Sequence, residues 1–229
     1  MLNFLGVGGA FAYELGNCSA YYKKDNELLL IDCGESVFAD ILMNDLLSDI
    51  DIINILITHF HSDHIGSLGS LVFYCDKIGI KKINLLYPNI LKLNELVNMF
   101  GLSKCDLNIT VPQDINSFKI LPIEQKHSIM ESFGYIINLN DISVYYSGDT
   151  KIIPNEILNM FFNNEIDYFY QDVRCSENDY HICIGELNEL IPAEYRDKIL
   201  CMHFNNMDEM HEIASSGYGL VKRLIKRKE

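Results

Sequence analysis

The stretch ITHFHSDHIGSL, residues 57 to 68, sets His59, His61, Asp63 and His64 within six positions, at the end of the apolar run IINILI. A strand that leaves a core into such a loop turns His59 and His61, two apart, the same way. Asp63 and His64 then project across a tight turn toward a second point. One cation would take the two histidines and one distant residue, so the remaining Asp63 and His64 make chemical sense when a second cation sits beside the first. Imidazole and carboxylate donors without thiolate suit zinc, manganese or iron. A merely solvated His-rich loop is the competing reading, and it leaves the strand that delivers the cluster unexplained.

Further donors must come from elsewhere in the chain. Of the seven histidines, His127, His181, His203 and His211 remain. His127, in EQKHSIMESFGY, lies between two expected strands, and His203, in CMHF, follows one. Asp149, in YYSGDT, offers a single carboxylate on a Gly-assisted turn, as a ligand shared by two cations requires. His211, in MHEI, reads as an exposed residue of a helix.

These residues need elements to aim them. Apolar runs bounded by turn residues predict strands at 2–6, 18–23, 27–32, 53–58, 83–87, 107–111, 118–123, 132–138, 142–147, 166–170 and 198–202. Helical periodicity fits 36–47, 64–78, 89–100, 151–162, 184–191 and 219–227. The alternation predicts layered α/β packing, two sheets with helices outside, and no linker or repeat divides 1–229 into more than one domain. LLLIDCGE ends in Asp32, INILITHFHSDH in the histidine cluster, ISVYYSGDT in Asp149 and KILCMHFNN in His203. Four strands thus point polar groups at one rim, where layered α/β folds gather ligands.

Bulk properties narrow the partners. The 229 residues are 48% hydrophobic and 22% charged, the balance of a soluble domain with a sizeable core. MLNFLGVGGAFAYELG has no basic lead-in and its apolar runs are broken, so neither a signal peptide nor a membrane span fits. Seven cysteines (Cys18, Cys33, Cys75, Cys105, Cys175, Cys183 and Cys201) form no CxxC pair and read as small core residues of a reduced, cytoplasmic protein. Net charge is −14, and the last eight residues hold five of the 18 basic groups against one acid. The first 221 residues therefore carry 13 basic and 31 acidic groups, a net of −18. Such a surface repels a long nucleic acid, whose binding rests on Lys and Arg displacing counterions. Small anions drawn to a local metal charge remain compatible. The terminal basic run is expected at the end of the 219–227 helix, where cations suit the dipole.

FLGVGGA, LLLIDCGE, THFHSDHIG, the isolated His127, YSGDT and CMHF, in this order, resemble the metallo-β-lactamase fold and, within it, the ribonuclease Z-like phosphodiesterases. The likeness runs nearly end to end. It implies the four-layer αβ/βα metallo-β-lactamase sandwich, two mixed sheets with helices on the outside, holding two divalent metal ions, usually zinc, or manganese. By that resemblance His59, His61 and His127 would hold one ion, Asp63, His64 and His203 the other, with Asp149 bridging and Asp32 bracing the ligand loop. His181, in NDYHICIGELNEL, resembles a histidine kept near the leaving group. Upstream, FYQDVR departs from the HEAT-like residues of those enzymes, and Asp172 is the candidate replacement partner of His181. The chemistry implied is phosphodiester cleavage by a metal-activated water, with Asp63 orienting the water or taking its proton and His181 protonating the leaving alkoxide. Carbonyl hydrolysis, as in lactonases and glyoxalase-type thioesterases, does not explain FLGVGGA together with His181.

Ribonuclease Z carries a long basic arm for transfer RNA between its third His motif and its bridging Asp. Here His127 and Asp149 are only 22 positions apart, and NNMDEM follows His203 where those enzymes show Ser and Arg-Tyr. The better likeness is to the phage-type anti-Pycsar proteins, armless relatives that degrade the cyclic mononucleotides bacteria use as antiviral signals. It implies a small 3',5'-cyclic nucleotide as substrate, a homodimer, and action in the cytoplasm, the host's if the chain is phage-encoded. Two other readings stand beside it: a transfer-RNA 3'-processing endoribonuclease, and a non-catalytic sponge that holds intact nucleotide. Phe11, Tyr13, Phe60 and Tyr74 lie near the motifs as candidate base-stacking surfaces, each with a core role as the simpler expectation.

Overall fold

The computed structural model describes residues 1–115 and 117–224. Strands β1 (Asn3–Gly6), β2 (Ser19–Lys24), β3 (Glu27–Ile31), β4 (Ile52–Leu56), β5 (Lys82–Leu86) and β6 (Leu107–Thr110) lie side by side in chain order. A second six-stranded sheet takes β7 (Phe118–Gln125), β8 (Ser132–Leu139), β9 (Ile142–Tyr146), β10 (Tyr168–Asp172), β11 (Ile199–Met202) and β12 (Gly219–Leu220), again in chain order. In each sheet the first three strands pair antiparallel in succession and the remaining three run parallel to the third. The two halves thus share one pairing scheme, although no repeat is legible in the residues.

Parallel neighbours need crossover connections, and helices supply them. These are α1 (Val37–Met43), α2 (Ser62–Ile65), α3 (Leu68–Ile78), α4 (Ile90–Met99), α5 (Asn155–Phe162), α6 (Ile184–Leu190) and α7 (Met207–Ser215). Strand β3 shows how side-chain alternation builds the layers. Leu28 and Leu30 pack with Val37, Ile41, Leu71 and Leu93 from the helices, while Leu29 and Ile31 join the cluster shared with Tyr135, Ile137, Val144 and Tyr145 of the second sheet. All five residues of β3 are buried, as expected of a strand covered on both faces. The expected architecture of two mixed sheets with outer helices is the one observed.

Boundaries differ where local chemistry overrides periodicity. The expected helix 64–78 is broken into α2 and α3 because the Ser67 hydroxyl turns inward, donating to the Gly34 carbonyl and accepting from the Phe38 amide. The expected helix 151–162 starts only at Asn155, with Pro154 in extended conformation before it. Over its described part, 219–224, the expected helix 219–227 is replaced: Gly219–Leu220 pairs with β11, and the Val221 and Leu224 amides donate to Cys201 and Phe4 carbonyls, so strand pairing takes the backbone. Residues 225–229, most of the basic run, lie outside the described residues. Arg223 donates to the Leu5 and Glu14 carbonyls and pairs with Asp40 at 2.7 Å. All seven cysteines are free, but Cys105 and Cys175 are half-buried rather than core. Among the described residues no helix is long and apolar enough to cross a membrane.

A polar seam crosses the first sheet. Asn108 donates to Asn84, Asn84 to Asn54, and Asn54 to Glu27, at 3.0, 2.6 and 2.7 Å. Asn54 and Asn84 are buried and in register, so the amide chain fixes strand alignment where apolar side chains would permit slippage. Replacing the central member, Asn84→Leu, strands the Asn54 carbonyl oxygen in the interior. The expected loss is about 2 kcal/mol, read as a lower urea midpoint at unchanged slope; an unmoved midpoint would show that the seam does not contribute.

Candidate metal centre

Every predicted metal-ligand residue is delivered to one rim. Asp32 follows β3, the 58–64 loop follows β4, His127 follows β7, Asp149 follows β9, Asp172 closes β10 and His203 follows β11. His211 is exposed on α7. The turns that carry the rim are under backbone constraint: Asp32 and His203 adopt φ of 63° and 68°, a region costly for side-chain-bearing residues and often retained at functional sites. Gly34 has no room for a side chain, since a Cβ there would collide with the Asp63 carbonyl. This closeness lets the Cys33 amide donate to His64 O, so the loop after β3 supports the loop after β4.

Asp32 carries out the bracing expected of it. Its carboxylate accepts from the Thr58 amide and hydroxyl and faces His64 Nδ1, each at 2.8 Å. That contact directs His64 Nε2 into the cluster, where it is buried and has no hydrogen-bond partner. Two donor groups then form. His59, His61 and His127 converge, with His61 Nδ1 lying 2.9 Å from His59 Nε2 and 3.4 Å from His127 Nε2. Asp63, His64, Asp149 and His203 make the second group, in which Asp63 Oδ2 is 3.3 Å from both His64 Nε2 and His203 Nε2. Asp149 joins the two: its Oδ2 is 3.4 Å from His64 Nε2, 3.8 Å from His127 Nε2 and 3.9 Å from His59 Nε2.

The electrostatics fit a pair of cations. Burial, reinforced by His64, holds His59 well below the usual histidine range, which leaves its ring neutral and able to donate a lone pair. Burial alone would favour protonated carboxyls at Asp149 and Asp63, but His203 and His64 outweigh it and keep both ionised. Burial opposes charge on His64 too, yet Asp149, Asp32 and Asp63 hold it well above its usual range. His203 is pushed up to about 9, where Asp149 overcomes burial. Buried carboxylates in excess, balanced here by imidazolium, form a negative well suited to divalent ions, which would displace those protons, and His64 Nε2, facing Asp63 and Asp149 without a hydrogen bond, is a ready ligand atom there. Imidazole and carboxylate oxygen suit zinc or manganese.

Beside this cluster, Asp172 Oδ2 lies 2.7 Å from His181 Nδ1, which leaves the other ring nitrogen for the cavity that His181 lines. The histidine partner suggested by FYQDVR is therefore present as Asp172. The cavity, about 530 Å³, has His61, Asp63, Asp149 and His203 among its walls. Two contributors escaped the sequence reading. Arg174, 6% exposed, lies with Nη2 2.8 Å from His203 Nδ1. Glu209, buried on α7, accepts from the Cys175 and Asn205 amides and so ties the turns on either side of His203. An acid in the first turn of a helix is ordinary, so nothing in NNMDEM singles it out. Of the four candidate aromatics, Phe60 and Tyr74 pack into the helix-side core and Phe11 and Tyr13 are exposed.

Comparison with known proteins agrees with this geometry. In fold, the chain is similar to a diphosphatase of the PhnP family, with TM-score 0.77, 19% identity and coverage of 100% of this chain and 97% of that one. It is also similar to the metallo-β-lactamase fold protein YhfI of Bacillus subtilis, with TM-score 0.73, 17% identity and coverage of 96% and 94%. In sequence, it is 30% identical to the anti-Pycsar protein Apyc1 of Bacillus phage BSP38 over 91% of this chain and 90% of that one. The family model for the anti-Pycsar protein Apyc1 matches residues 1–225. With the metallo-β-lactamase sandwich and the doubled His/Asp cluster in place, the chain belongs to the anti-Pycsar Apyc1 family.

Proposed function

We propose that this protein is a metal-dependent phosphodiesterase that opens 3',5'-cyclic mononucleotides to linear nucleotides and so blunts cyclic-nucleotide antiviral signalling. The observation that carries the reading is Asp149 Oδ2, a single carboxylate oxygen within 4 Å of nitrogens from both donor groups. In this reading His59, His61 and His127 hold one ion, Asp63, His64 and His203 the other, and Asp149 spans them. The ions are zinc or manganese. The chain acts as one domain, in the cytoplasm, as a homodimer. The short hairpin of β8 and β9 between His127 and Asp149 leaves no place there for an arm, which supports a small substrate over transfer RNA.

Divalent cations held by these His and Asp residues would supply an acidified water at neutral pH and offset negative charge on the phosphate. The residues do the rest. Asp63, ionised at the floor of the cavity, accepts the proton of the attacking water. His181, held by Asp172 through Nδ1, presents its other nitrogen to the leaving oxygen and protonates it.

Purified protein offered a panel of 3',5'-cyclic nucleotides beside a precursor transfer RNA should consume the cyclic nucleotides and accumulate linear product, with Asp63→Asn losing at least about a hundredfold in kcat. A clean cut in the RNA would replace this substrate assignment, and tight binding of unchanged nucleotide would mark a sponge. His181→Ala should slow turnover about a hundredfold with metal content unchanged by elemental analysis; a fall in metal content would make His181 a ligand or support instead. Chelation should abolish turnover and lower the melting temperature, since the ions hold four separate chain segments together. An unaltered melting temperature after complete removal of metal would contradict the ligand set.

A further inference from the structure

The wall of the cavity holds two aromatic side chains that the core does not use. Phe11 is 96% exposed and Tyr180 is 52% exposed, and both line the cavity whose depth is formed by Asp63, Asp149 and His203. Neither ring hangs from a loose segment. The backbone around Phe11 is closed on itself by hydrogen bonds from Ala12 to Gly9, Leu15 to Ala12, Gly16 to Tyr13 and Gly8 to Gly16. Ala12 and Leu15 are buried and anchor the turn from beneath. The turn also touches the metal centre: the Gly9 amide donates to the Phe204 carbonyl, and a Cβ on Gly9 would lie 3.2 Å from His203 Cε1. On the other side, the Tyr180 carbonyl accepts from His127 Nδ1 at 3.1 Å, and its amide donates to Asn178. Phe11 is thus registered to His203 of one donor group, and Tyr180 to His127 of the other.

A phenyl ring held rigidly in water recovers free energy only when something flat and apolar covers it. Of the polar side chains nearby, Asn178 Oδ1 accepts from the Tyr180 and His181 amides, and Ser128 accepts from Met130. Building on the phosphodiesterase reading above, we infer that Phe11 is the stacking platform for the nucleobase, positioned so that a substrate with its phosphate at the Asp63/Asp149/His203 floor lays its base against the ring. Tyr180 bounds the same space from the His127 side. The ligand chemistry is a phosphodiester carrying one planar heterocycle, of a size the cavity accommodates. Tyr13, also exposed but not part of the cavity wall, takes no part.

The chain contains no tryptophan, so Phe11→Trp places the only indole at the platform. Titrating this variant, metal-loaded, with a 3',5'-cyclic nucleotide should quench its fluorescence saturably, whereas a 3',5'-cyclic ribose phosphate without a base should leave it unchanged. In parallel, Phe11→Ala should raise KM for the cyclic nucleotide about tenfold, the loss expected for one base–aromatic stack, with kcat within about twofold and no effect on the base-free compound. Silent fluorescence with an unmoved KM, while the parent protein turns over the nucleotide, overturns the platform and leaves the phosphodiesterase reading intact. Saturable quenching without turnover by the parent upholds the platform and overturns the catalytic reading. Equal weakening of both ligands in Phe11→Ala, with a change in molecular mass by light scattering, makes Phe11 a subunit contact and overturns the inference.

Discussion

The structure is organised around the burial of negative charge. Asp32, Asp63, Asp149 and Asp172 all sit out of water at the rim of two sheets, and a carboxylate in such a place is tolerated only beside compensating charge or hydrogen bonds. Each has been given partners of a different kind. Asp32 is satisfied by Thr58 and His64, Asp172 Oδ2 by His181 and the Thr150 amide, Asp63 lies against His64 and His203, and Asp149 lies among imidazoles of both donor groups. The shared carboxylate of Asp149 is the constraint that matters most, because it can face both groups only if loops from β4, β7, β9 and β11 end at the same height.

The division of donors between the two halves of the chain gives the centre a mechanical role as well. His59, His61, Asp63 and His64 belong to the first sheet's loops; His127, Asp149 and His203 belong to the second. Each donor group draws from both. An ion in either group would therefore join the sheets across their common core, and the rim would be among the most firmly held parts of the molecule rather than a flexible mouth.

Much of this was legible in the residues because the pattern is local where it is densest. HFHSDH follows an apolar strand, and a strand end is stiff enough that spacing translates into direction. The eleven expected strands all appear, since runs such as LLLI and INIL are too apolar and too short to be anything else at that spacing. What stayed hidden depends on partners far along the chain. The amphipathic stretch from Gly219 reads as a helix until the edge of β11 is there to pair with it. Ser67 interrupts a helical period only because the Gly34 and Phe38 backbone lies against it. Arg174 and Glu209 matter through neighbours 29 and 34 positions away, for which composition holds no signal. The amide seam through Asn54 and Asn84 is invisible for the same reason: each asparagine alone argues against a strand, and only their register makes them compatible with one.

Arg223 offers a last consequence. Its guanidinium grips the carbonyls of Leu5 and Glu14 and the carboxylate of Asp40, so one side chain near the end of the described residues clamps both flanks of the turn that displays Phe11. The shape of the Phe11 turn, one wall of the cavity, is thereby made hostage to a cation more than two hundred positions downstream. Anything that competes for that cation, whether a polyanion, an appended acidic tag or a neighbouring surface, would act on the turn that carries Phe11 without touching any of the His and Asp donors.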